Sequence, residues 1–213
     1  MTKLVKLLLG VAMLGAVGMA RADVAAPDAL IKNTVQDVTT IIKHDQDIQA
    51  GNQKKILALV DSKVLPNFDF TRMTQLAVGK YWRTATAEQK QSLVTEFRNM
   101  LVRTYTKVFT VYRDQAIEVK PLKMVADATD ATVQTVISKP GTPPVLVNYE
   151  MKKAADGWKA FDITIEGVSM VMSYRGTFAS EIQEKGIDGL IKTLADKNAH
   201  PSDEGDVRKA NTK

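Results

Sequence analysis

The spacing of apolar residues changes twice along this 213-residue chain, and these changes limit the fold more than any other feature. Over 28–113 apolar side chains recur every three or four positions, which is the period of an amphipathic helix. Over 115–166 they alternate with polar residues, as in a half-buried strand, and the helical period returns over 168–197. The pattern predicts an α+β domain with helices packed on one face of an antiparallel sheet.

Local signals divide the first helical region. They predict a helix over 28–49 and a second over 53–65, where the following proline stops it. Asp69 is a suitable N-cap for a short third helix that Gly79 ends. A capping box, Thr86-Ala87-Glu88-Gln89, then opens the longest helix. One face of that helix carries large side chains for over five turns: Leu93, Phe97, Met100, Leu101, Tyr105, Val108, Phe109 and Tyr112.

The middle region predicts a sheet of about four strands. Turn residues at 140–143 and the Asp156-Gly157 hairpin signal separate the alternating runs. Because the connections are short, neighbouring strands should be antiparallel, with one apolar face and one wet face. The apolar face is predicted to carry Val133, Val147, Tyr149, Phe161, Ile163 and Ile165. That face either closes on the helices as ordinary core or forms part of a ligand cavity, and the pattern alone leaves both open.

A catalytic site has little material in this sequence. The two histidines, His44 and His200, lie in polar surroundings and are predicted to be surface residues, and no ligands are spaced for a metal. Asp162 and Glu166 are the candidates for a general base. By alternation Asp162 should point away from the apolar face, and Glu166 should pair with a basic group such as Arg175 or Arg83.

The first 22 residues have the layout of a cleavable secretory signal peptide. Lys3 and Lys6 precede an apolar run over 7–19, and Ala20-Arg21-Ala22 supplies small residues at the cleavage site. A run of this length spans about 20 Å as a helix, short of the roughly 30 Å hydrocarbon core of a bilayer. Export out of the cytoplasm is therefore expected, with the mature chain beginning near Asp23.

Removal of that peptide changes the charge balance. Without Lys3, Lys6 and Arg21 the chain has 26 basic and 24 acidic residues, so the net charge falls from +5 to +2. This nearly neutral balance does not favour nucleic acid as a partner. The sequence has no cysteine, which excludes disulfides, thiolate metal sites and a lipid anchor on cysteine.

Several linked motifs resemble those of the MlaC family, also called toluene-tolerance proteins. The resemblance runs from about residue 28 to 195. It rests on Phe68-Asp69-Phe70-x-x-Met73, Val78-Gly79-Lys80-Tyr81-Trp82-Arg83, Phe97-x-x-Met100-Leu101-x-x-Thr104-Tyr105, Trp158-Lys159-x-Phe161-Asp162-x-x-Ile165-Glu166-Gly167-Val168-Ser169, Tyr174-Arg175-x-x-Phe178 and Gly186-Ile187-Asp188-Gly189-Leu190-Ile191. Members of this family are periplasmic phospholipid-binding components of a Gram-negative lipid transport system.

The resemblance implies a curved, nuclear-transport-factor-2-like sheet, a helical subdomain, and a cavity between them that takes phospholipid acyl chains. It implies no enzymatic activity and no cofactor. It also implies two docking partners: MlaD-type subunits of an inner-membrane ABC transporter, and an outer-membrane lipoprotein–porin complex. The expected organisation is a signal peptide (1–22), one monomeric lipid-binding domain (23–198) and a disordered tail (199–213). A small-molecule enzyme on this fold and a protein–protein adaptor with a filled core remain the alternatives.

The expected lipid-contacting residues come from four elements. The sheet contributes apolar residues by alternation, and the helices contribute the faces turned toward it. They are Val133, Val147, Tyr149, Ile163 and Ile165 from the sheet; Phe97, Leu101 and Tyr105 from the longest helix; Met73 and Leu76 from the short helix; and Val171, Met172 and Tyr174 from the helix expected after 167.

Overall fold

The computed structural model describes residues 25–106, 115–125 and 127–200. The signal peptide predicted over 1–22, the end of the longest helix near 113 and the tail beyond His200 lie outside the described residues. The helices are α1 (Pro27–His44), α2 (Gln46–Gln49), α3 (Gln53–Leu59), α4 (Phe70–Val78), α5 (Ala87–Thr106) and α6 (Arg175–Ala199). The strands are β1 (Ala116–Val119), β2 (Asp130–Ser138), β3 (Val145–Ala154), β4 (Gly157–Ile165) and β5 (Val168–Ser169).

The helix predicted over 28–49 is divided at Asp45. This residue is extended, and its carboxylate accepts hydrogen bonds from the backbone N–H groups of Asp47 and Ile48, so it caps α2. The stretch predicted as a helix over 53–65 is helical throughout, but only its first part, α3, is an α-helix. After α3 the chain continues as a π-helix (Val60–Val64) and a 3₁₀ helix (Leu65–Asn67) before α4.

The predicted caps of α4 and α5 are confirmed. The Asp69 carboxylate accepts from the N–H of Arg72 at 2.9 Å, and Gly79 ends α4 with a φ of 63°. The Thr86 hydroxyl accepts from the N–H of Gln89 while the Gln89 amide oxygen accepts from the N–H of Thr86, both at 3.1 Å. These signals were readable because each cap involves residues only three positions apart.

The strands form one antiparallel sheet in the order β1-β2-β3-β4-β5, so each strand pairs with its neighbour in sequence. The α+β class predicted from the pattern is confirmed, with one strand more than the four expected. A β-bulge on β4 shifts the register, since Met151 opposes Ala160 whereas Tyr149 opposes Ile163. Strict alternation predicted that Phe161 shares a face with Ile163. Because of the bulge it does not, and Phe161 packs toward the helices.

The helix expected to run from residue 168 does not begin there. Val168–Ser169 pairs with the end of β4, Met172–Tyr174 makes a 3₁₀ turn, and α6 starts at Arg175. The cause is hydrogen bonding to distant residues, because the N–H of Met170 donates to the carbonyl of Ile163 at 2.8 Å. Within the helical stretch predicted over 168–197, α6 is kinked at Gly186, where φ is 75° and ψ is 177°.

Three apolar clusters hold the elements together. The largest joins α4, α5 and α6, so the apolar side chains of α5 between Leu93 and Tyr105 pack mainly on helices, and these three helices form a helical subdomain. A second joins the first half of α1 to the sheet around Val133, Met151 and Trp158. A third joins the second half of α1 to α2 and α3. Within the described ranges, no helix has the length and apolar character that crossing a membrane requires.

Candidate functional site

A cavity of about 270 Å³ lies between α1 and the sheet. Its wall on the helix side comes from one face of α1, and its floor comes from the inward side chains of β1 to β4. The lining residues are Ile31, Thr34, Val35, Val38, Thr39, Ile42, Val64, Asn67, Phe68, Tyr105, Ile117, Ile137, Val147, Tyr149, Ile163, Ile165 and Met170.

Helical periodicity and strand register place these side chains. On α1, spacings of three and four residues put the lining positions on one face. On the sheet, Ile117 pairs with Ile137, Val147 with Ile165, and Tyr149 with Ile163, so the floor is built from cross-strand pairs. Because directly opposed residues in a sheet point to the same side, a single register aligns the whole floor.

A second cavity, of about 130 Å³, adjoins the first and extends toward α4 and the end of α5. Five residues line both cavities and separate them. The wall of the smaller cavity is made of Val60, Val64, Leu65, Phe68, Phe70, Met73, Leu101, Val102, Tyr105, Thr106, Ile163 and Met170. Its polar lining residue, Thr106, already donates its hydroxyl to the carbonyl of Val102, so this wall offers little to a polar ligand.

Three partly buried tyrosines place hydroxyl groups beside the cavities. Burial raises the pKa of Tyr149, whose hydroxyl pairs with the side chain of Thr135. Burial also raises the pKa of Tyr105 and of Tyr174, and these two hydroxyls hydrogen-bond to each other. The phenols therefore stay neutral and paired at neutral pH, and the cavity wall carries no buried charge at these positions.

Polar residues of the larger cavity cluster between α1 and the turn after α3. The Asn67 side-chain amide donates to the Thr34 hydroxyl at 3.1 Å and to the carbonyl of Lys63 at 3.0 Å. Ile165, at the end of β4, is 37% exposed although it lines the cavity. The larger cavity thus reaches toward solvent and has a polar margin, whereas its interior is apolar.

Comparison with known proteins identifies the family to which this fold belongs. The family model described as MlaC protein matches residues 32–196. This chain belongs to the MlaC family. The resemblance noted in its motifs is therefore confirmed. The matched residues include all that line the two cavities except Ile31, near the start of α1.

Two relatives of this MlaC-family chain have names that describe their roles. The intermembrane phospholipid transport system binding protein MlaC of Haemophilus influenzae is 26% identical over 165 residues, which cover 73% of this chain and 77% of the relative. The toluene tolerance protein ttg2D of Pseudomonas putida is 24% identical over 169 residues, covering 79% and 78% of the two chains.

A solved structure also matches this MlaC-family fold. The phospholipid-binding protein from Ralstonia solanacearum, determined in complex with a phospholipid, is 38% identical in sequence. Its TM-score is 0.75, and the match covers 82% of this chain and 98% of that one.

The structure brings together seven of the thirteen residues expected to contact lipid. They line one or both cavities and come from α4, α5 and the sheet: Met73, Leu101, Tyr105, Val147, Tyr149, Ile163 and Ile165. The sheet members were readable because alternation fixes which side chains share a face. Their contact with a ligand stays a prediction.

The other six residues lie outside both cavity walls. Phe97, Val133 and Val171 are fully buried in the packed clusters, and Leu76 and Tyr174 pack against the helical cluster. Met172 is 41% exposed. Val171, Met172 and Tyr174 were expected on a helical face turned to the sheet, but they belong to the irregular segment before α6. Their contact with lipid likewise stays a prediction.

Sequence reasoning missed the contribution of α1 to the site. The apolar spacing of Ile31, Val35, Val38 and Ile42 was visible, but nothing local shows which surface an amphipathic face covers. Ile117 and Ile137 were also missed, although their strand periodicity was the available signal. Val64 lies in the helical stretch predicted over 53–65, but the surface that it faces was not visible. Phe68 and Met170 lie outside the named helices and strands, where periodicity carries no information.

The carboxylate proposed as a general base has structural partners instead of a ligand site. Asp162 is 7% exposed and accepts from the N–H groups of Ile163 (2.8 Å) and Val171 (3.1 Å) and from the Ser169 hydroxyl. The Glu166 carboxylate accepts from the N–H of Leu146. Glu166 was expected to pair with an arginine, but within 25–106, 115–125 and 127–200 it forms no such ion pair. Within the same ranges, no cluster of side chains is suited to a metal ion.

Proposed function

We propose that this protein is a periplasmic phospholipid carrier that holds acyl chains in the two adjoining cavities. The observation that carries the proposal is the nearly continuous apolar lining of both cavities, about 270 and 130 Å³, in a chain of the MlaC family. A diacyl phospholipid has on the order of 30 chain carbons, and each buried methylene contributes about 0.8 kcal/mol. Transfer through water would therefore cost roughly 20 kcal/mol. At about 25 Å³ per carbon the two cavities together take about 16 carbons, so they offset about half of this cost, the share of one acyl chain.

The position of the polar residues supports an orientation for the lipid. Acyl chains lie against the floor of β1 to β4 and against α1, and the headgroup lies near the solvent side of the larger cavity, by Ile165 and the Thr34–Asn67 pair. The buried phenols are neutral and paired, so they neither repel nor bind a phosphate strongly. Recognition then rests on the chains, with no deep charged pocket for the headgroup.

The carrier is proposed to move between two membranes. The signal peptide of residues 1–22 would export it, and the absence of cysteine leaves it without a lipid anchor on that residue. The partners proposed are MlaD-type subunits of an inner-membrane ABC transporter and an outer-membrane lipoprotein–porin complex. Loading and release would occur by direct transfer inside each docked complex, since free lipid in water is so costly.

The structure favours a carrier over an enzyme on the same fold. Asp162 is engaged by three donors from its own segment, and Glu166 is engaged by the backbone of β3. A general base needs an oxygen aimed at substrate. Neither residue is among those that line the cavities, so we propose that the protein has no catalytic activity.

The test compares two glutamate substitutions that are adjacent on α1. Val35 lines the larger cavity, whereas Gln36 is exposed on the outer face of the helix. The wild type and Gln36→Glu should co-purify with phospholipid at near-stoichiometric ratio by solvent extraction and mass spectrometry. Val35→Glu should lose at least tenfold, because a carboxylate in the apolar wall must be desolvated when chains occupy it.

The experiment also separates the alternatives. Circular dichroism and a cooperative urea transition establish that both variants are folded. Absence of phospholipid from the wild type would favour an adaptor with a filled core, and equal lipid in Val35→Glu and Gln36→Glu would exclude this cavity as the site. Turnover of a small molecule that depends on Asp162 or Glu166 would favour the enzyme.

A further inference from the structure

The wall between the two cavities is made of five residues that line both: Val64, Phe68, Tyr105, Ile163 and Met170. Four of them have restricted side chains. Val64 and Ile163 are β-branched and stiff at χ1. The Phe68 ring packs 5.9 Å from the Phe70 ring, and the Tyr105 hydroxyl is bonded to Tyr174. Met170 is unbranched with three rotatable bonds, so it is the member able to change shape readily.

The backbone that carries Met170 is held firmly although its side chain is not. Its N–H donates to the carbonyl of Ile163 at 2.8 Å. The residues on either side, Ser169 and Val171, both donate to the buried carboxylate of Asp162. The Ser169 hydroxyl in turn accepts from the N–H of Met172 at 2.9 Å. A rigid backbone therefore presents one flexible side chain at the junction of the cavities.

The cavity volumes give this junction a consequence for chain length. An apolar cavity of about 150 Å³ in a protein accommodates benzene, so one carbon needs about 25 Å³. On that scale the 270 Å³ cavity takes about 11 carbons and the 130 Å³ cavity about five. An acyl chain of about 16 carbons must therefore occupy both cavities and pass Met170.

The direction of entry follows from the position of the polar side chains. The larger cavity includes the polar Thr34–Asn67 pair and the half-exposed Ile165. The smaller cavity has no such margin, because its polar side chains, Tyr105 and Thr106, are hydrogen-bonded to Tyr174 and to the carbonyl of Val102. A chain whose polar end stays near solvent therefore fills the larger cavity first and reaches the smaller one with its terminal methylenes.

We propose that Met170 is the residue that sets acyl-chain length selectivity, by admitting or excluding the end of a chain from the smaller cavity. This proposal rests on the proposed lipid-carrier function. In one rotamer the thioether closes the passage and the larger cavity alone accepts chains of about 11 carbons, and in another it opens and chains of about 16 carbons fit.

The test measures binding of single-chain lysophosphatidylcholines with 10, 12, 14, 16 and 18 carbons, below their micelle-forming concentrations. For the wild type, affinity should rise with length up to 16 carbons, by up to about fourfold per methylene. Met170→Phe puts a larger, stiffer side chain in the passage. The ratio of its 16-carbon affinity to its 10-carbon affinity should fall at least tenfold below the wild-type ratio.

Two further variants complete the design. Met170→Ala should increase the ratio of 18-carbon to 12-carbon affinity at least threefold, and it decides the question if Met170→Phe does not fold. Val168→Phe is the matched control, since Val168 is 46% exposed on the same segment and lines neither cavity. It should keep the wild-type length profile.

The outcomes distinguish this inference from the function on which it rests. Met170 variants with the wild-type length profile, or with the same loss for every probe, would overturn the role of Met170 and leave the carrier intact. A wild type that binds no probe of any length would overturn both. A changed profile in Val168→Phe would show that the segment acts as a whole and would also overturn the specific role of Met170.

Discussion

Asp162 shows how one side chain can organise a segment that has no regular structure. Its two carboxylate oxygens bind the backbone N–H groups of Ile163 and Val171 and the Ser169 hydroxyl in a site that is 7% exposed. Without this acceptor, three donors would lose a charged partner, and buried donors left unpaired cost free energy. The residue is thus a structural anchor for the stretch that carries Met170.

This anchoring predicts a large effect on stability. Asp162→Ala should lower the free energy of unfolding by about 1 to 3 kcal/mol in urea denaturation. Glu118→Ala is the control, because Glu118 forms an exposed ion pair with Lys120, and such pairs contribute about 0 to 1 kcal/mol. Equal losses in the two variants would contradict the assignment.

The buried tyrosines predict a dependence on alkaline pH. Burial raises the pKa of Tyr105, Tyr149 and Tyr174 in the folded chain. Near pH 10 and above, the unfolded chain loses phenolic protons that the folded chain keeps, so rising pH favours unfolding. The stability contributed by these neutral phenols is complete below pH 10 and falls above it.

Urea denaturation at pH 8 and pH 10.5 measures this effect. The fall in unfolding free energy should be shallower for Tyr149→Phe than for wild type, by up to about 1.4 kcal/mol per pH unit for one tyrosine. Lysine deprotonation affects both proteins alike and so does not change the difference. Identical falls would show that Tyr149 ionises as readily in the folded chain as in the unfolded one.

Residue-level predictions from the sequence succeeded where geometry is periodic. Val147 and Tyr149 were placed on the cavity side because side chains alternate along a strand. The prediction for the face of Phe161 was wrong because the bulge on β4 inserts one residue. A bulge has no reliable signature in a single sequence. Met170 was missed because two backbone hydrogen bonds fix its position, from its own N–H to Ile163 and from the N–H of Val171 to Asp162. Local spacing does not reveal such bonds.

At the scale of elements, α6 depends on a glycine at its kink. Gly186 has φ 75° and ψ 177°, a region that is essentially restricted to glycine. Gly176, near the start of the same helix, has no positive φ, and a methyl group added to its Cα would meet no atom within 4 Å. The two glycines therefore offer opposite responses to the same substitution.

Gly186→Ala should destabilise the protein by about 1 to 3 kcal/mol, because alanine is strained in that conformation. Gly176→Ala should stabilise it by about 0.4 to 1 kcal/mol, because alanine restricts the unfolded chain and fits a helix. Thermal denaturation of the two single variants checks the signs. A stabilising Gly186→Ala would mean that the kink is absent in solution.

Element boundaries divide into local and non-local cases. The caps at Asp69 and Thr86 were predictable because donor and acceptor are three residues apart. The segment Val168–Tyr174 was not, because its apolar spacing suits a helix while its actual partners lie in β4. The placement of α1 over the sheet was also not predictable, since an amphipathic face specifies burial but not the surface that buries it.

At the scale of the whole molecule, α1 connects two apolar clusters and forms one wall of the larger cavity. Its first half packs on the sheet and its second half packs on α2 and α3. The same α1 side chains also border the larger cavity, so part of their surface faces apolar space that a ligand can occupy. Surfaces that lose dispersion contacts in this way gain them back when an apolar ligand occupies the space.

Cargo should therefore stabilise the folded protein. A ligand that binds the folded chain alone adds RT ln(1 + [L]/Kd), which is about 2.7 kcal/mol at a hundredfold excess over Kd. For a chain of this size such a gain raises Tm by about 5 to 10 °C. Protein stripped of lipid by organic extraction and refolded should melt correspondingly lower, and phospholipid vesicles should restore the wild-type Tm.

The Val35→Glu variant makes this expectation specific to the cavity. Val35 lies on the α1 wall, so its glutamate variant should melt at the same temperature with and without vesicles, while Gln36→Glu should respond like wild type. Stabilisation of all three proteins by vesicles would indicate binding on the outer surface. Stabilisation of wild type and Gln36→Glu alone would mean that lipid reaches the space between α1 and the sheet, as direct transfer from a docked membrane complex requires.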